Sequence, residues 1–178
     1  MSLLIRGQTS ARAPGMPPTG GVIESPGFAA GVMPSLAELE AMGPRAAADR
    51  LFDRVMQLQS SGDLAQARRF APMAKQSYAQ VPAAEVNLDM RFHEGMLDLT
   101  LGDATSAAAV AESMLGEEAG HLLALVLGSQ AAEAAGDPAA KDEYLRRLRF
   151  AHAESGGAGR PEYDAHRAVI DAALKGQP

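Results

Sequence analysis

The chain has no cysteine and no tryptophan. The first absence excludes disulfides, thiolate catalysis and Cys-ligated zinc. Aromatics are scarce, with three Tyr and five Phe. Strand-favouring runs of Val, Ile, Thr and aromatics are missing, so a sheet is not expected. No basic stripe is present, and formal net charge is -6. Two Arg face three Glu over 1–43, and the other -5 lies on 44–178. The electrostatic footprint of nucleic-acid binding is therefore missing. The pairs Arg68-Arg69 and Arg146-Arg147 read as solvated helix faces.

Long apolar runs are missing as well. Leu3-Leu4-Ile5 is the only strongly apolar stretch near the N-terminus, whereas a secretory signal needs about seven or more such residues. No segment approaches the roughly 18 residues that span a membrane. A soluble, cytoplasmic chain without membrane insertion is the expectation. Met1-Ser2-Leu3 also matches an expression-vector remnant.

Signatures of chemistry are missing too. No phosphate-binding G-x-x-x-x-G-K-[ST] loop and no G-x-S-x-G elbow occurs. The four histidines His93, His121, His152 and His166 form no H-x-x-x-H or H-E-x-x-H pair. His152 and His166 are expected to meet across the last hairpin, near Glu154 and Tyr163, as a surface hydrogen-bond network. No cofactor, no metal and no catalytic residue is expected, and the chain reads as non-enzymatic.

What is present is Ala, Leu, Val and Met, with hydrophobic residues at 47%. Small side chains suit closely packed helices. A Gly-Asp pair recurs at Gly62-Asp63, Gly102-Asp103 and Gly136-Asp137, at spacings of 40 and 34 residues. That period belongs to helix-turn-helix repeats. Glycine closes one helix in the left-handed conformation, and aspartate caps the next. The expected helices run over 45–60, 64–80, 84–101, 104–115, 118–135, 138–154 and 161–175. Pro72 predicts a kink or an early end in the second.

Residues 1–43 read as a flexible Pro/Gly-rich arm ending in a short helix, and 44–178 as the helical domain. In the arm, Pro14-Gly15, Pro17-Pro18, Gly20-Gly21 and Pro26-Gly27 interrupt any apolar period. Ser35 and Glu38 have capping-box spacing.

Over about 44–154 the chain resembles the tetratricopeptide-repeat family, with 161–175 as a candidate cap. Gly95 lies seven residues before the turn glycine Gly102, as in that family. Ala67, Ala71, Ala74, Ala107 and Ala111 fit its small positions. Arg91, Asp98, Lys141 and Pro72 depart from its pattern. The resemblance implies an all-α fold of about three antiparallel helical hairpins, wound as a short right-handed solenoid. It also implies a concave groove that binds a protein or peptide.

One internal match is independent of the family. Asp49-x-x-Phe52-x-x-x-Met56 recurs as Asp89-x-x-Phe92-x-x-x-Met96. Steps of three and four put each trio on one helix stripe. If the family register holds, the stripe faces the groove and Leu123, Val126 and Gln130 continue it. Packing between neighbouring helices is the other reading of the same stripe. Phe and Met suit adaptable peptide binding, and Asp49 and Asp89 would favour a basic residue on the partner. The expected function is an adaptor or scaffold. The alternative is an assembly subunit docking through its outer faces and its arm. A second copy of the chain is a further candidate partner.

Overall fold

The computed structural model describes residues 36–155 and 160–176. The arm expected over 1–34, Ser35 of the capping box and residues 156–159 lie outside them. Every helix or strand among the described residues is helical. A short helix α1 (Leu36–Met42) packs on α2 (Pro44–Ser60). Three antiparallel hairpins follow. They are α2 with α3 (Leu64–Tyr78), α4 (Leu88–Leu101) with α5 (Ala104–Glu117), and α6 (Leu122–Ala134) with α7 (Pro138–Ser155). The last expected helix is broken into α8 (Pro161–Ala165) and α9 (Arg167–Leu174).

The Gly-Asp pairs make the turns. Gly62, Gly102 and Gly136 have φ of 82°, 84° and 73°, a region an L side chain enters at a cost. Asp63, Asp103 and Asp137 then accept from the backbone N–H of Gln66, Ser106 and Ala140 at 3.2, 2.9 and 2.9 Å. Each turn thus ends one helix and starts the next with purely local chemistry.

Three boundaries differ from expectation. α3 runs through Pro72 to Tyr78. The proline lies on the exposed face. α4 starts at Leu88, after a 3-10 turn at Ala83–Glu85, because Asn87 caps it by accepting from Met90 N–H at 2.9 Å. α6 starts at Leu122, where the buried His121 Nδ1 accepts from Ala124 N–H.

Sequence neighbours pack on one another along the array, and α4 also touches α2 and α6. The small positions Ala67, Ala71, Ala74, Ala107 and Ala111 are all 0% exposed. Two apolar cores result. One joins α2, α3 and α4 through Leu51, Val55, Tyr78 and Leu97. The other joins α4 to α9 through Phe92, Met114, Leu127 and Ile170. α4 serves both and is buried on several faces. Leu122 to Ser129 of α6 are buried without interruption, as in a helix covered all round. α9 packs on α6 and α7.

Candidate functional site

Six polar side chains converge where α2, α3 and α4 meet the junction of α8 and α9. Asp89 and His93 are four residues apart on α4, hence on one stripe. Asp49 and Arg45 take the same relation on α2. Tyr78 comes from the last turn of α3, and His166 from the residue that joins α8 to α9.

The chain of contacts is continuous. Arg45 Nε donates to both Asp49 oxygens at 3.1 and 2.9 Å, and its Nη2 donates to Asp89 Oδ2 at 3.0 Å. The Tyr78 hydroxyl donates to Asp49 Oδ1 at 2.8 Å and lies 2.7 Å from His93 Nδ1. His93 Nε2 lies 3.0 Å from His166 Nε2, which lies 3.1 Å from Asp89 Oδ1. Phe52 stacks flat on His93 with centroids 4.0 Å apart, and Phe92 sets an edge against His166 at 4.9 Å.

This environment controls protonation. Burial raises the Asp49 carboxyl, but His93, the Tyr78 hydroxyl and Arg45 outweigh it and bring it down to about 2. Burial also raises Asp89, and His166, His93 and Arg45 overcome it to hold that group below the usual range. Burial, then the Asp49 carboxylate, push the Tyr78 hydroxyl upward, so it stays a donor. Asp89, His93 and His166 each bring one ligand-type atom within 4.8 Å of the others, and together they could hold a metal ion.

The stripe expected to line a groove divides in two. Phe52, Phe92 and Val126 are 4%, 1% and 0% exposed and belong to the cores. Leu123 is equally buried. Asp49, Met56, Asp89, Met96 and Gln130 keep partial access to solvent. The last of these lines a cleft with Ala168, Val169 and Ala172 of α9. Phe92 and Val126 share their core with Tyr163, Ile170 and Ala173 of the C-terminal segment.

A cleft of about 510 Å³ opens between α7 and the α5–α6 connection, lined in part by Glu118, Gly120, Arg147, Phe150 and Glu154. Phe150 is 68% exposed at this cleft.

His166 joins His93 and Asp89 rather than pairing with His152. No two histidines stand one turn apart in the sequence. The usable local signal was the mixed pair Asp89-x-x-x-His93, with its third donor 73 residues away from His93. Arg45 and Tyr78 carry no motif and were missed. The departures from the repeat pattern also find partners. Asp98, 4% exposed, pairs with Lys75, and Arg91 pairs with Glu117.

No family model, curated protein or solved structure matches the chain.

Proposed function

We propose that the chain is a non-enzymatic interaction module, an adaptor or scaffold whose helical hairpins hold a surface for a protein or peptide partner. The observation that carries this reading is Phe150. It lies on α7, 68% exposed, in a cleft whose lining includes acids and bases, Glu118 and Glu154 with Arg146 and Arg147. A large aromatic anchor within a polar rim is the usual make-up of a binding hot spot. Arg147 lies 5.9 Å from the Tyr144 ring centroid, which restricts one wall of the cleft. The partly buried members of the inner stripe, Asp49, Met56, Asp89, Met96 and Gln130, form a second contact region in this reading. Phe52, Phe92 and Val126 support it from beneath. The likeness to tetratricopeptide repeats favours the same class of function.

Peptide-library selection on the immobilised full-length chain tests this. Enriched sequences that lose binding with Phe150→Asp support the reading. Enriched sequences indifferent to Phe150→Asp, and to Met56→Asp, contradict it.

One observation favours an outer-face scaffold. Leu64 and Met73 of α3 are 51% and 47% exposed. In that reading, Met73→Asp rather than Phe150→Asp abolishes assembly.

A further inference from the structure

We propose that Asp89, His93 and His166 form a binding site for a divalent first-row transition cation, which ties α4 to the α8–α9 junction. This inference is independent of the interaction-module reading.

The separations fit a shared cation. Asp89 Oδ1, His93 Nε2 and His166 Nε2 are 3.0, 3.1 and 3.6 Å apart pairwise. Metal bonds of about 2.0–2.2 Å place neighbouring ligand atoms roughly 2.9–3.6 Å apart at right or tetrahedral angles. Three donors on one side leave the remaining positions to water or a further ligand.

Hydrogen bonding alone serves these atoms poorly. His166 Nε2 carries at most one hydrogen. That hydrogen must serve both Asp89 Oδ1 and His93 Nε2, which stand on either side at 3.1 and 3.0 Å. With the His93 proton on Nδ1, a hydrogen that points to one leaves the other contact with no hydrogen between its two heavy atoms. A cation at the centre satisfies all three lone pairs together.

Each donor on α4 is also held from behind, as metal ligands usually are. With its proton on Nδ1, His93 donates to the Tyr78 oxygen, and Tyr78 donates to Asp49. This fixes the tautomer that leaves Nε2 free to ligate. Arg45 takes Asp89 Oδ2 and leaves Oδ1 facing the histidines. Phe52 and Phe92 fix the planes of the two imidazoles.

Charge and access agree with this. Asp49, Asp53 and Asp89 face the imidazoles, against Arg45 and, beside Asp53, Arg50. Three carboxylates against two guanidiniums give the cluster an excess of negative charge for a cation to meet. The side chains of Asp89, His93 and His166 are 20%, 9% and 16% exposed, so a cation can enter from solvent. Two imidazoles with one carboxylate and no thiolate select the borderline ions, zinc, iron(II) or cobalt, over magnesium and calcium.

The test is calorimetric titration of chelator-stripped full-length protein with zinc, cobalt(II), magnesium and calcium chlorides. We expect one equivalent of zinc or cobalt, a raised melting temperature, and visible cobalt absorption altered from that of the aqua ion. Magnesium and calcium should give no saturable binding. Asp89→Asn keeps the side-chain shape and His166→Ala removes one ring at the helix junction, so both should fold by circular dichroism. Each should weaken zinc binding more than a hundredfold. Tyr78→Phe should weaken it about 10- to 100-fold through His93, and His152→Ala should change nothing. Absence of saturable zinc and cobalt binding, or binding unchanged in folded Asp89→Asn and His166→Ala, overturns the proposal.

Discussion

At the scale of single residues, protonation decides more than size. Asp49 accepts from Tyr78 and Arg45. Asp49→Asn weakens both contacts and should cost about 1–3 kcal/mol in chemical denaturation. Its carboxyl is held down at about 2, below the ordinary 3.8 of an aspartate. Its contribution is therefore present above pH 3.8 and is lost as pH falls toward 2. His121 works in the same sense, but over a higher pH range. It is 0% exposed, its Nδ1 accepts from Ala124 N–H, and its Nε2 has no partner. Burial lowers its pKa below 6.5, Arg160 adds to this, and Glu118, Glu162 and Asp89 oppose it. The unfolded chain takes up the proton first, so stability should decline as pH drops below 6.5. His121→Asn keeps a capping oxygen without a titrating ring. It should flatten the slope of denaturation midpoint against pH between 7 and 5.5.

At the scale of elements, two close approaches set the spacing of the array. A Cβ on Gly95 would come within 2.3 Å of Leu127 Cδ2, and one on Gly128 within 2.5 Å of the Tyr144 ring. These glycines let α4 reach α6 and α6 reach α7. Gly95→Leu and Gly128→Ala should each cost about 1–3 kcal/mol through overpacking. Gly116, near the end of α5, has nothing within 4 Å of its absent Cβ. Gly116→Ala should instead stabilise by about 0.4–1 kcal/mol. Thermal melts of the three variants should separate in that order.

The elements were legible in sequence because their punctuation is local. A glycine with positive φ and a capping aspartate need only their own neighbours. The alanines that permit contact recur at helical spacing for the same reason. The polar cluster was legible only in part. Asp89 and His93 share a turn, but nothing near His166 encodes that the C-terminal segment reaches α4. The stripe Phe52, Phe92 and Val126 could be placed on helix faces from spacing alone. Its burial could not, since that depends on which distant segment covers it.

At the scale of the whole molecule, α8 and α9 complete the second core rather than decorate it. Tyr163, Ile170 and Ala173 are 6%, 4% and 8% exposed within it. The Tyr163 hydroxyl also accepts from the first N–H of α6 at 3.1 Å. Removing residues 160–178 should cost roughly 3–6 kcal/mol from lost apolar burial and raise binding of a hydrophobic dye. A repeat array otherwise spreads its stability over neighbouring hairpins. The truncation should therefore loosen α4 to α7 more than α2 and α3, as read by amide exchange.

The central claim is that function resides in a surface the hairpins hold. Amide hydrogen exchange of the full chain, free and saturated with a selected peptide, tests it most directly. The account predicts added protection over 118–120 and 146–151, around Phe150. Protection confined to the outer face of α3, or absent everywhere at saturation, would contradict it.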